Sequence, residues 1–144
     1  MKKVVFFFIC AIGTAIGNVL ARKGVDDITL LSIEEEVVES INELRYNLTY
    51  FPNVKLSRNL KATTDRSVLK DADIIFMAIP SVAVVGYILG NKEIINPKAV
   101  IVNLAKGFGK CDSLIPDCLQ GQLPNPIMMM KGPSFAREII NRQD

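Results

Sequence analysis

The stretch from Val4 to Gly24, VVFFFICAIGTAIGNVLARKG, most constrains what this chain can fold into. An apolar, β-favouring run from Val4 to Ile9 halts near Cys10. From Gly13 the spacing turns helical. Ile16, Val19, Leu20 and Lys23 recur at intervals of three and four, and Gly24 stands where a helix C-cap belongs. Strand, tight turn and helix in this order open a doubly wound sheet, whose first turn favours an anion through free backbone N–H groups and the helix dipole. The glycine signature of a dinucleotide turn, G-x-G-x-x-G, survives only at its third position, Gly13, because Phe8 and Cys10 occupy the first two. Taken alone, the stretch reads better as a buried strand packed on its own helix than as a nucleotide turn.

The rest of the chain alternates in the same way. Ile28–Leu31 reads as a second strand, with Ser32 as an N-cap and Glu34, Glu35 and Glu36 in the first turn of a helix buried through Val37, Val38, Ile41 and Leu44. Residues 46–60 read as a long loop and Leu60–Thr64 as a short strand. A brief helix starts at Asp65 or Ser67. Ile74–Ile79 is an unbroken apolar run, as in parallel strands covered on both faces. Ser81–Leu89 is helical, Ala99–Leu104 a strand, Ala105–Lys110 a glycine-bearing loop and Asp112–Leu119 a helix. Ile127–Met130 reads as a last buried strand, and Gly132–Ser134 opens a final helix. The pattern predicts an α/β domain over residues 1–144 with a doubly wound parallel sheet. Ligands of such sheets bind beyond the carboxyl ends of the strands. The segments expected there are Cys10–Gly13, Ser32–Glu34, Pro80–Ser81, Ala105–Gly107 and Lys131–Ser134.

Composition narrows the functional classes. A net charge of +2, from 17 basic and 15 acidic residues, predicts no strong field for nucleic acid or a membrane surface. The chain has no histidine, which excludes histidine acid–base chemistry and histidine metal sites within it. Cys10, Cys111 and Cys118 are odd in number and form no CxxC, which points to a reducing, cytoplasmic setting. The alternative is an exported protein, with Met1-Lys2-Lys3 and the apolar run as a signal peptide. On that reading the sheet would lose its central strand. Among polar residues, Glu34 lies at the right distance to take ribose hydroxyls, which would favour NAD over NADP, or is simply a solvated helix residue. Lys106, at a strand's carboxyl end, suits phosphate binding or polarisation of a carbonyl, or is an ordinary surface lysine. Gly132-Pro133-Ser134 offers N–H groups and a hydroxyl to an anion, or an ordinary cap.

These scattered signals join in one resemblance. The chain resembles the N-terminal, Rossmann-like domain of the bacterial NAD(P)-dependent glycerol-3-phosphate dehydrogenases nearly end to end. The residues that carry it are Gly13-Thr14-Ala15, Leu20-Ala21-Arg22-Lys23-Gly24, Asn42-x-x-Arg45-x-Asn47, Tyr50-Phe51-Pro52 and Asn59-Leu60-x-Ala62-Thr63-Thr64-Asp65. Asp71-Ala72-Asp73, Ala78-Ile79-Pro80-Ser81, Ala105-Lys106-Gly107 and Gly132-Pro133-Ser134-Phe135-Ala136-x-Glu138 complete it. The resemblance implies hydride transfer between NAD or NADP and dihydroxyacetone phosphate or sn-glycerol 3-phosphate, in glycerophospholipid metabolism. Lys106 matches the family lysine that contacts substrate and cofactor, and Gly132 and Ser134 match substrate positions. Gly13, Tyr50, Pro80, Ser81, Ala136 and Glu138 match cofactor positions. The full-length family allows a homodimer. This chain departs from the family at Phe8, Cys10 and Ile12, and carries Ile33 where an Arg commonly follows the second strand. The family continues into an all-helical domain bearing a second lysine and the phosphate clamp. The chain is therefore expected to be inactive alone, with apolar surface bared near Phe135 and Ile139. The competing expectation is a remnant that keeps the fold but holds no nucleotide.

Overall fold

The computed structural model describes residues 2–8, 11–25, 27–79, 81–104, 119 and 121–129. Its strands are β1 (Lys3–Phe8), β2 (Asp27–Leu31), β3 (Leu60–Thr63), β4 (Ile74–Ala78), β5 (Val100–Asn103) and β6 (Ile127–Met129). All pair in parallel, in the order β3-β2-β1-β4-β5-β6. The order reverses between β1 and β4, so the crevice that such sheets offer to ligands opens beyond Phe8 and Ala78, which stand opposite each other in the register.

Alternation along β1 assigns the two faces. Val4 and Phe6 belong to one apolar layer with α1 (Ala11–Arg22) and α2 (Glu35–Glu39). Val5 and Phe7 belong to the other, with α3 (Ser81–Gly90) and a 3₁₀ turn at Arg66–Lys70. Phe6 stacks on its register partner Phe76, centroids 4.5 Å apart and planes 8° from parallel. Lys3–Phe8 and Ala11–Arg22 thus form the central strand and its helix.

Helix α1 starts at Ala11, two residues before the expected Gly13. It ends in a Schellman turn: the Gly24 N–H donates to the Ala21 carbonyl, the Val25 N–H donates to that of Leu20, and Gly24 takes φ +95°. The expected apolar line is not its buried seam. Ile16, Val19 and Leu20 are only half-buried, whereas Gly13, Thr14, Ala15, Gly17, Asn18 and Ala21 are buried. Small residues let the helix lie close to the sheet. A Cβ on Gly17 would come within 3.1 Å of Leu30 Cδ2 and 3.3 Å of Leu60 Cδ1. Gly17→Ala should be tolerated, because those atoms end flexible side chains. Gly17→Leu should destabilise by about 1–3 kcal/mol in urea unfolding.

Several other expectations are corrected. The Ser32 hydroxyl accepts from the Glu34 N–H at 3.0 Å but caps no helix, since α2 begins at Glu35 behind an N-cap at Glu34. Leu44 is 55% exposed rather than buried. After α2 the chain enters a π-helical turn, Ser40–Leu44, whose wider winding breaks the 3.6-residue stripe that holds Val37 and Ile41 inside. Met128 is 58% exposed, because β6 is an edge strand, not a buried one. The brief helix is the 3₁₀ turn, and Asp65 caps it by accepting from the Ser67 N–H at 2.9 Å.

The loop 46–59 is clasped to α1 through a polar line on that helix. Asn47 Nδ2 donates to Thr14 Oγ1 at 3.1 Å, with both residues fully buried. The Ser57 N–H donates to Asn18 Oδ1 at 2.8 Å, and the Arg22 guanidinium donates to the Lys55 carbonyl at 2.7 Å. Asn42 covers the free edge of β3: its amide donates to the Ala62 carbonyl at 2.8 Å, and its oxygen accepts from the Ala62 N–H at 2.9 Å.

Candidate functional site

The carboxyl ends of β1, β2 and β3 meet the 3₁₀ turn and α3 around a cavity of about 260 Å³. Phe7, Leu31, Ser32, Ile33, Thr64, Arg66 and Tyr87 line it. Each place follows from the topology. Phe7 projects from β1 toward α3, Leu31 to Ile33 carry the chain out of β2, Thr64 follows β3, and Tyr87 leans against Phe7 with ring centroids 6.0 Å apart. Phe7, Leu31, Ile33 and Tyr87 supply apolar wall, and Ser32, Thr64 and Arg66 supply donors.

Arg66 is held by a buried partner. Its Nη1 donates to Asn91 Oδ1 at 3.1 Å, and Asn91 Nδ2 donates to the Tyr87 carbonyl at 2.7 Å. Asn91 is 4% exposed, so the guanidinium swings from a fixed point. Beside it, the Asp65 carboxyl is held below the usual carboxylate range by the backbone and hydroxyl of Ser67. Across the sheet, burial draws the Arg45 guanidinium below its ordinary pKa, and it remains charged.

The site residues expected from sequence divide. Gly13 is buried in the first turn of α1, and Ser81 opens α3 at the end of β4, so both stand at the switch between β1 and β4. Tyr50 is half-buried, with its N–H donating to Asn47 Oδ1 at 3.3 Å, and Asn47 ties that turn to Thr14, next to Gly13. Glu34 is exposed and does not line the cavity. Pro80, Lys106, Gly132, Ser134, Ala136 and Glu138 lie outside the described residues, as do Cys10, Cys111, Cys118 and the segment with Phe135 and Ile139. Thr64, Arg66, Tyr87 and Asn91 were not anticipated. The signal for Thr64 and Arg66 was the short strand Leu60–Thr64: once it is parallel, whatever follows it reaches the ligand edge. Tyr87 and Asn91 depend on the phase of α3 and carried no such mark. No group of three or more metal-ligating side chains gathers among the described residues, and no helix among them is long and apolar enough to cross a membrane.

A family model described as "NAD-dependent glycerol-3-phosphate dehydrogenase N-terminus" matches residues 4–144. The chain belongs to this family. It is 39% identical over 136 residues to a glycerol-3-phosphate dehydrogenase [NAD(P)+] of Leptospira biflexa, covering 90% of this chain and 40% of that one. It is 36% identical over 146 residues to one of Bacillus subtilis, covering 96% and 42%. The chain therefore spans about two fifths of the length of these curated relatives. Its fold matches the crystal structure of the Coxiella burnetii glycerol-3-phosphate dehydrogenase with a TM-score of 0.87 at 29% identity, over 96% of this chain and 43% of that one. The strand order described above is that of a doubly wound dinucleotide-binding sheet.

Proposed function

We propose that this chain is the dinucleotide-binding part of a cytoplasmic glycerol-3-phosphate dehydrogenase and that it takes NAD or NADP across the β1–β4 switch. The observation that carries the reading is the cavity at the carboxyl ends of β1–β3, beside that switch, in a chain of this family. The residues fit one half of the cofactor. A volume of about 260 Å³ falls just under the roughly 300–1,000 Å³ of pockets that enclose a whole small ligand. The cavity thus suits an adenosine end, with the base between Leu31, Ile33 and Tyr87 and the ribose toward Ser32 and Thr64. The N-terminus of α1 supports a pyrophosphate through its unpaired N–H groups and dipole. Gly13 and Tyr50 border that turn, and Ser81 opens α3 at the end of β4.

When bound, the nicotinamide supplies a hydride for dihydroxyacetone phosphate or accepts one from sn-glycerol 3-phosphate. On this reading Lys106 fixes the substrate oxygens and the cofactor edge by charge. Gly132 and Ser134 offer the substrate N–H and O–H donors, and Ala136 and Glu138 adjoin the cofactor. Positioning and charge stabilisation by the remainder of the relatives' length complete the chemistry.

Fluorescence titration with NADH and NADPH tests this. The unaltered chain should bind weakly, and a Phe8→Gly/Cys10→Gly variant at least about tenfold tighter, because bare backbone then approaches the pyrophosphate. Binding only after both glycines are restored would support the competing reading, a family fold that has lost its nucleotide at that turn. Failure of both proteins to bind overturns the dinucleotide reading.

A further inference from the structure

We infer that Arg66 makes this chain's adenosine site selective for a 2′-phosphorylated nucleotide, reading the phosphate from the β3 side rather than from the residue that follows β2. The inference rests on the dinucleotide reading above and decides which nucleotide the cavity prefers.

Discrimination at such a site turns on what meets the 2′ position of the ribose. An acidic side chain after β2 accepts from a free 2′-hydroxyl and repels a phosphate, whereas an arginine does the reverse. Here the residue that leaves β2 into the cavity is Ile33, 67% exposed at the rim and able to do neither. Glu34, Glu35 and Glu36 are exposed and none lines the cavity. Asp65 directs its carboxylate to the Ser67 N–H. Of the charged side chains described, Arg66 alone lines the cavity.

Its setting suits phosphate recognition. A guanidinium carries five donors in a planar fork, and among the described residues only its Nη1 is engaged, by Asn91 Oδ1. Asn91 is itself buried and fixed to the Tyr87 carbonyl, so less conformational freedom is lost when an anion arrives. Ser32 and Thr64 stand beside the same cavity with hydroxyl groups for the remaining phosphate oxygens. Charge-assisted, forked contacts of this kind are about twice as strong as neutral ones.

The test compares adenosine 2′,5′-bisphosphate with 5′-AMP, by calorimetric titration of the 144-residue chain. The two ligands differ only in the 2′-phosphate. Both lack the nicotinamide and the pyrophosphate bridge, so Phe8 and Cys10 weigh little in the comparison. The bisphosphate should bind at least about tenfold tighter, as one charge-assisted contact implies, and the preference should shrink as salt is raised. Arg66→Met should abolish the preference and leave 5′-AMP within about twofold, with a lowered unfolding midpoint because the buried Asn91 Oδ1 loses its donor. Arg66→Lys should keep part of it, since charge remains and the fork is lost. Equal binding of both ligands by the unaltered chain overturns the inference while the dinucleotide reading stands. So does an Arg66→Met variant that weakens both equally, which would put the guanidinium over the base. Binding of neither ligand overturns the dinucleotide reading, and this inference with it.

Discussion

Replacing Phe6 by alanine is expected to lower stability by about 3–5 kcal/mol, because Phe6 heads the largest fully buried side chains among the described residues. Phe6 is fully buried at the centre of β1, the strand around which the sheet reverses. Its ring stacks on Phe76 of β4, and its Cε2 lies 3.6 Å from the place a Cβ on Gly17 would occupy. Truncation therefore empties the volume that α1, β1 and β4 share. The close seam of Gly13, Ala15, Gly17 and Ala21 leaves the helix little room to sink further. A domain of this size has about 5–15 kcal/mol in total, so the variant should lose about a fifth or more of its stability. In urea the midpoint should fall sharply at unchanged slope. Phe7→Ala makes the informative comparison. Phe7 is 5% exposed and borders a cavity already present, so its removal should cost less stability while weakening nucleotide binding. A loss under about 1 kcal/mol for Phe6→Ala would mean that the sheet and α1 relax into the space, and the account of the seam would fail.

Much of this architecture was legible in the sequence, for identifiable reasons. Unbroken apolar runs gave β1 and β4, because strands covered on both faces leave no polar alternation to misread. Gly24 marked the end of α1 because its φ of +95° is open to glycine and strained for other residues. The misreadings have physical causes too. Periodicity picks out large apolar residues, so Ile16, Val19 and Leu20 were preferred over the glycines, alanines and buried Thr14 and Asn18 that actually face the sheet. Regular 3.6-residue spacing carried Leu44 into the core, and only the π-helical turn moves it out. Gly13 and Ser81 could be placed beside the β1–β4 switch because turn and strand-end positions follow from element order. Arg66 escaped because its importance arises from Asn91, 25 residues later. Family resemblance assigned roles to Lys106, Gly132, Ser134, Ala136 and Glu138 by matching motifs, and those roles remain proposals for this chain.

Arg45 carries the second large effect, with an order of severity that departs from the usual one. It ends the π-helical turn in the left-handed region, φ 62°, the one non-glycine residue with positive φ among those described. Its Nη2 donates to the carbonyls of Ser57 and Leu60, and its own carbonyl accepts from the Leu56 N–H at 2.7 Å. One side chain thus fastens the return of the long loop and, with Asn42, closes the outer edge of β3. Arg45→Ala leaves two carbonyls without that donor, which should cost about 2–4 kcal/mol if each orphaned group costs about 1–2. Arg45→Gly loses the same bonds but relieves left-handed strain worth about 1–2 kcal/mol. Glycine should therefore destabilise less than alanine here, the reverse of their order within a regular helix. Arg45→Lys should fall near alanine, because its ammonium ends one bond short of where Nη2 meets the two carbonyls. All three variants should also associate on concentration, measured by light scattering, since an uncovered β3 edge is a template for a further strand. Glycine proving worse than alanine would remove the strain from the account. Monomeric behaviour of all three at high concentration would show that Asn42 closes the edge unaided.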